Sequence, residues 1–224
     1  MDAKIAVYLE IGTKRTFAGA IDWPGWCRSG RNEAEALEAL VASGPRYRAV
    51  LGRSSPPFRA PKEVGELRVV ERLKGDAGTD FGVPSRPPRD NGKPLDKDET
   101  ARFTRLLTRC WLAFDASAAA ATGVELRKGP RGGGRDLAKI VAHVREADEA
   151  YLTQLGSRKP TPTGDAGAAA KRLRTAMLDA LRARGEGRAL SDPNKVKKPW
   201  SPRYFVRRVA WHSLDHAWEI EDRA

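Results

Sequence analysis

The chain has 224 residues, of which 40% are hydrophobic and 31% charged, and its formal net charge is +12. With a mean hydropathy of −0.56 and no apolar run near the roughly 20 residues of a membrane-spanning helix, it is expected to lack a membrane segment. The first residues alternate like a strand and do not resemble a signal peptide. We therefore expect a cytoplasmic protein with Cys27 and Cys110 reduced, because two distant cysteines match neither a disulfide framework nor a metal-binding spacing.

The positive charge favours an anionic partner, either nucleic acid or an anionic small molecule. Basic residues are spread along the chain and interleaved with acidic ones, which is also typical of a solvated surface. Aromatic and basic residues do not alternate along any recognisable RNA-binding motif. We therefore favour a small molecule as the partner and keep nucleic acid as the less favoured alternative.

The N-terminal third predicts a small domain built from strands and one helix. Alternation of apolar residues and the intervening turn residues predict the strands, and Asn32 with Glu35 predicts a capping box at the start of the helix. The predicted strands are residues 4–11, 16–21, 26–29 and 66–72.

One motif in this region resembles a known family. Asp22-x-Pro24-Gly25, four residues, then Gly30-x-Asn32-x-x-Glu35-Ala-Leu is similar to the N-terminal domain of HicB-like antitoxins. Trp26 stands where that family usually has cysteine, and Asn32 where it usually has threonine. The resemblance implies a ββ(β)αβ domain over residues 1–75. The DNA-binding segment expected after it is replaced by a helical region, which counts against a working antitoxin, and a generic small αβ domain shares the same local signals.

The rest of the chain predicts a linker followed by helices. Residues 76–97 are rich in Gly, Pro and Asp with almost nothing apolar, which is typical of a linker. Apolar residues then recur with helical periodicity. The predicted helices are residues 97–121, 136–155, 166–184 and 204–223. The fold class is therefore α+β, with a small αβ domain, a linker and a helical domain over 98–224.

All three histidines of the chain lie on predicted inward faces of helices. His212 and His216 lie one turn apart in the last helix, and His143 lies on the apolar stripe of the helix over 136–155. A buried imidazole needs a hydrogen-bonding group or a metal ion at its ring nitrogens. A single His-x-x-x-His pair is more often structural, but three inward histidines match a metal site with an open position, the catalytic pattern of zinc.

The sequences around these histidines resemble the DinB/YfiT-like family of metal-binding four-helix bundles. The resemblance is carried by GGGRDLAKIVAHVREADEAYL and AWHSLDHAWEIEDR and covers roughly residues 98–224. It implies an up-down four-helix bundle in which His143, His212 and His216 hold a divalent metal, zinc first, with nickel, iron or manganese as alternatives. Some members are thiol-dependent S-transferases or isomerases, others are inferred to be hydrolases, and many have no known substrate. Related bundles often form homodimers.

Five further residues are candidates for the surroundings of this site. Glu146 and Glu219 lie one turn beyond His143 and His216, where a carboxylate can accept the second ring N–H, although surface charges at that spacing need no special role. Tyr151, Trp200 and Trp211 are candidates for the pocket wall, although aromatic residues on such stripes are more often core residues.

These features lead to two predictions of function. The first is a metal-dependent enzyme, either a hydrolase or an S-transferase that uses a low-molecular-weight thiol, acting on a small molecule. The second is a non-enzymatic binding or regulatory module, in which the HicB-like domain engages a protein or nucleic acid and the helical domain is structural.

Overall fold

The computed structural model describes residues 4–54, 56–128, 134–188, 190 and 196–224. It divides into two compact units, Met1–Lys93 and Pro94–Ala224. A four-stranded sheet lies in the first unit, and long helices follow in the second, so the predicted α+β class is confirmed. No helix in the described part of the chain is both long and apolar enough to cross a membrane.

The first unit is organised around a mixed sheet with the strand order β3-β2-β1-β4. Strands β1 and β2 pair antiparallel, as do β2 and β3, whereas β4 pairs parallel to β1 with a register shift between Val7 and Tyr8. The strands match the four predicted segments to within a few residues at each end. They are β1 Ile5–Ile11, β2 Thr16–Ala20, β3 Cys27–Gly30 and β4 Leu67–Lys74.

Helix α1, Glu33–Leu51, packs on β2 and β3. Asn32 caps it as predicted, since its side chain accepts a hydrogen bond from the Glu35 amide at 3.0 Å. The second half of the expected capping box differs: the Glu35 carboxylate accepts from the amide of Arg31, one residue earlier than predicted. Under the helix, the fully buried Trp26 donates its indole N–H to the Leu40 carbonyl at 3.0 Å, which ties the helix to the sheet.

The segment predicted as a linker is more structured than its composition indicates. Helix α2, Ala77–Phe81, forms within it, capped by the side chain of Asp76, and the first unit ends only at Lys93. The reason is Glu10, a fully buried carboxylate that accepts hydrogen bonds from the Thr79 hydroxyl and from the amides of Ser85 at 3.0 Å and Arg86 at 3.1 Å. These hydrogen bonds fix this stretch of chain, in which Pro84 and Pro88 are also buried.

The second unit consists of four long helices that pack on one another. Helix α6 contacts α3 and α4 most extensively, and α5 also packs on both α3 and α4. Each helix begins at a side chain that accepts an amide N–H of its first turn. The helices are α3 Lys97–Ala120, α4 Leu137–Leu155, α5 Ala166–Gly185 and α6 Pro202–Arg223, and their capping residues are Asp96, Asp136, Asp165 and Ser201.

All four helices predicted from periodicity are present. Helix α6 begins two residues earlier than predicted, with Pro202 in its first turn, a position where the missing N–H has no cost. Parts of the predicted connections between the helices, residues 129–133, 189 and 191–195, lie outside the described residues.

Candidate metal centre

Helix α6 places His212 and His216 on a face that is almost entirely buried. Both residues are below 10% exposed, and they share this face with fully buried Val209 and Ile220. Helix α4 supplies His143, which is half-buried. The most buried stripe of α4 runs through Val144 and its helical neighbours, so His143 lies at the edge of that stripe and not at its centre as the sequence predicted. The edge position leaves His143 partly exposed.

The three histidines lie together at the contact between α4 and α6. One ligand atom from each of them can be chosen so that all three atoms lie within 4.8 Å of one another. The Nε2 atoms of His143 and His212 are 3.2 Å apart. Zinc–nitrogen bonds of about 2.0–2.1 Å in a tetrahedral site separate two ligand nitrogens by about 3.3 Å, so this pair already has the spacing of two ligands of one ion.

The third ring completes the cluster from the next turn of α6. The ring centroid of His216 lies 4.6 Å from that of His212 and 5.0 Å from that of His143. Its Nδ1 atom is 2.7 Å from Glu219 Oε2, so Nε2 is the nitrogen that remains for a metal ion. Among the described residues, this is the only group of three or more potential ligands with such spacing.

Burial keeps two of these imidazoles neutral at physiological pH. Loss of hydration, followed by the charges of His216, His143 and Arg208, lowers the pKa of His212 to about 2. Burial is also the main cause that lowers the pKa of His143, with a further contribution from the charge of Arg135. A neutral imidazole has the free lone pair that a metal ligand needs.

The surroundings of His212 differ from those of His216. The Nδ1 atom of His212 is buried and has no hydrogen-bond partner among the described residues. The 3.2 Å contact between His143 and His212 has hydrogen-bond length, and it is a hydrogen bond when one of the two Nε2 atoms carries the proton. Because Nε2 is the nitrogen of His212 that faces the cluster, a metal ion held there would leave Nδ1 unsatisfied, so this buried nitrogen costs free energy with or without a metal.

The two carboxylates that the sequence singled out have different positions. Glu219 contacts His216, and its other oxygen accepts a hydrogen bond from Arg223 Nη1 at 2.6 Å. The hydrogen bond to His216, then the one to Arg223, lowers the pKa of Glu219, so it is a carboxylate that accepts the ring N–H. Glu146 is exposed, and in the described part of the chain it makes no hydrogen bond to a histidine ring. Its charge raises the pKa of His143 slightly against the dominant effect of burial.

Arg223 was not singled out from the sequence, yet it fixes the position of Glu219. Its Nε donates to the Arg127 carbonyl at 2.8 Å and its Nη2 to the Arg135 carbonyl at 2.9 Å, so one guanidinium joins the end of α6 to the chain before α4. The spacing of four residues between Glu219 and Arg223 is the signal that indicates this pair.

The predicted aromatic residues lie around the cluster. The ring of Tyr151 is 5.7 Å from His212 and 5.3 Å from Trp200, and the ring of Trp211 is 6.0 Å from His212. Arg208, which the sequence did not single out, lies between them: its guanidinium is 5.0 Å from the Trp211 ring and donates to the Tyr151 hydroxyl at 3.2 Å. A buried cation thus lies one turn before His212.

Comparison with known proteins found no matching family model, no matching curated protein and no matching solved structure.

The contrast between Glu219 and Glu146 predicts a difference in metal affinity. Glu219→Ala removes the acceptor that orients His216, and loss of such a partner typically weakens metal binding by about 10- to 100-fold. Glu146→Ala removes an exposed carboxylate near the same histidines and is expected to leave the zinc affinity within about twofold of wild type. Competition titration of zinc against a chromogenic chelator measures both variants. Equal affinities for the two variants would contradict the positioning role of Glu219.

The lowered pKa of His212 predicts a dependence of stability on pH. The folded protein takes up this proton only near pH 2, whereas the unfolded chain does so near the ordinary value of 6.5. The contribution of His212 is therefore complete above pH 6.5 and declines as the pH falls below it, because the unfolded state binds the proton first. Urea unfolding of metal-free protein between pH 7.5 and 5 should show a smaller loss of stability for His212→Gln than for wild type. Parallel losses in the two proteins would show that His212 is not buried in its neutral form.

Proposed function

We propose that Pro94–Ala224 is a DinB-like up-down four-helix bundle that binds one divalent metal ion through His143, His212 and His216. We further propose that the bound metal makes the protein an enzyme for a small molecule, either a hydrolase or an S-transferase that uses a low-molecular-weight thiol. The observation that carries the proposal is the convergence of three imidazoles from two helices, with two Nε2 atoms at 3.2 Å.

The number of ligands favours a catalytic over a structural role. A structural zinc site is normally closed by four protein ligands, whereas a catalytic site has three and an open position. The described residues supply no fourth histidine, cysteine or carboxylate to the cluster. Cys110 is fully buried in the same unit, and burial raises the pKa of its thiol far above the usual range, so it is an inert core residue.

The nature of the donors indicates which metal is expected. Three imidazole ligands suit zinc, nickel or iron, whereas manganese favours carboxylate and water oxygens. Glu219 is the nearby carboxylate, but its hydrogen bonds to His216 and Arg223 occupy both of its oxygens. We therefore propose zinc first, nickel or iron next, and manganese last.

The protein's own side chains have distinct parts in the proposed reaction. A divalent ion with an open position supplies Lewis acidity, which activates a water molecule or a thiol near neutral pH. Glu219 holds the ring of His216 in one orientation and tautomer, and Arg223 holds Glu219. Arg208 adds positive charge beside His212, which suits a substrate with an anionic group. Tyr151, Trp200 and Trp211 supply an apolar surface for the rest of the substrate.

For the first unit, we propose a HicB-like domain. The order of its elements, three strands, helix α1 and then β4, agrees with the ββ(β)αβ order that the sequence resemblance implies. It has no part in the proposed chemistry. We also propose that the protein forms homodimers, as related bundles do, and that it acts in the cytoplasm.

Activity of the zinc-loaded and metal-free protein tests the proposal. Chromogenic carboxylic and phosphoric esters report hydrolysis, and an aryl halide with a low-molecular-weight thiol reports S-transfer. We expect turnover in one of the two assays that needs zinc and falls by more than about 100-fold in His216→Ala. Asp215→Asn, on the same helix but outside the cluster, should retain it. Turnover that survives chelation or the loss of His216 would contradict a metal-dependent enzyme.

A further inference from the structure

A second candidate site lies in the same helical unit, on the opposite side of α4 from His143. A cavity of about 600 Å³ opens between α3, α4 and α5, and none of the three histidines lines it. Sites for small molecules typically have volumes of about 300–1,000 Å³, so this cavity is large enough for a ligand of its own.

Small residues on all three helices leave room for the cavity beside the larger side chains of Phe114, Val144 and Leu173, which also line it. Where helices pack closely, larger side chains normally fill such space. Val141, at the wall, is 41% exposed, which shows apolar surface that the protein itself does not cover. The small residues that line the cavity are Ala118, Ala119, Ala138, Ala142, Ala166, Gly167 and Ala170.

One buried acid also lines this cavity. Asp148 is 2% exposed, and the indole N–H of Trp111 is the side-chain donor beside it, but the two groups do not reach hydrogen-bond geometry, so Asp148 Oδ1 lacks a close partner among the described residues. A buried carboxyl oxygen without a donor is costly, and such groups are rare unless a ligand or water satisfies them. Burial raises the pKa of Asp148 to about 7, so a small favourable contact is enough to stabilise its charged form. The metal site makes no use of this residue.

The nearby charges determine which ligand suits Asp148. Arg174 is the nearest cation on the cavity wall, but its two terminal nitrogens bind both oxygens of Asp115, at 2.6 and 2.8 Å. Arg145 is exposed at the rim, where water screens its charge. Arg174 therefore acts on Asp148 through its charge and not through a hydrogen bond, and an anionic head group would be placed beside two carboxylates. A purely apolar ligand would add no hydrogen-bond donor for Oδ1.

We propose that this cavity binds a small molecule with an apolar body and a protonated amine, whose N–H donates to Asp148. The apolar body lies against the alanine-lined walls of α3, α4 and α5. This second site is independent of the metal centre, so either proposal can fail without the other.

Titration of the full-length protein with 4-phenylbutylamine and with its neutral analogue 4-phenylbutanol tests this proposal by calorimetry. The amine should bind saturably, one per chain, and more tightly than the alcohol. Asp148→Asn should weaken amine binding by at least about tenfold, to the level of the alcohol, because the charge of the acid is lost. Ala170→Leu fills the cavity from α5 and should weaken both ligands, whereas Ala116→Leu, an exposed position on α3 outside the cavity, should change neither.

Three results would overturn the proposal: no saturable amine binding by the wild type, equal affinity for amine and alcohol, or unchanged binding in Ala170→Leu. Circular dichroism establishes that each variant is folded. If Asp148→Asn does not fold, Ala170→Leu and the comparison of amine with alcohol still decide the question. His212→Ala should bind the amine as wild type does, and loss of amine binding in that variant would contradict a separate site.

Discussion

The contact between α4 and α6 is the constraint on which the rest of the second unit depends. It removes His212 from water almost completely and brings His143 to within 3.2 Å of it. The same burial that costs the imidazoles their hydration keeps them neutral, and neutrality is what a metal ligand needs. The packing of α4 on α6 therefore produces both the burial and the ligand spacing of the candidate site.

The C-terminal turn of α6 connects this site to the chain around it. Glu219 contacts His216, Arg223 contacts Glu219, and Arg223 also donates to the Arg127 and Arg135 carbonyls. Hydrogen bonds to a charged group are stronger than hydrogen bonds between neutral groups, so this series holds Glu219 and Arg223 in a fixed geometry. The orientation of the His216 ring thus depends on the chain before α4.

Periodicity predicted the strands and helices of this protein because its causes are local. The alternating residues of β1 and the cap that Asn32 gives α1 act on neighbours in sequence. The inward position of His212 and His216 followed from helical spacing for the same reason. The same spacing makes Glu219 a candidate for the carboxylate beside His216, but a surface charge at that spacing needs no special role, and the 2.7 Å contact is what distinguishes the two.

Other features depend on residues far apart in sequence, and composition did not reveal them. Glu10 orders the segment after Thr79 through a contact across 69 residues, which the composition of residues 76–97 does not indicate. In the sequence, nothing distinguishes Asp148 from an acid on a helix surface. Its burial depends on the packing of α4 against α3 and α5. The exposed position of Glu146 likewise depends on how α4 is rotated against α6, which one sequence alone does not determine.

The metal content of the purified protein tests the central claim most directly. Elemental analysis of wild type and of His143→Ala, both prepared without a polyhistidine tag, compares a complete cluster with one that lacks the ligand from α4. The account predicts near one divalent metal per wild-type chain and little in the variant, with both proteins folded. No metal in the wild type, even after reconstitution with zinc, or equal metal in the two proteins, would contradict it.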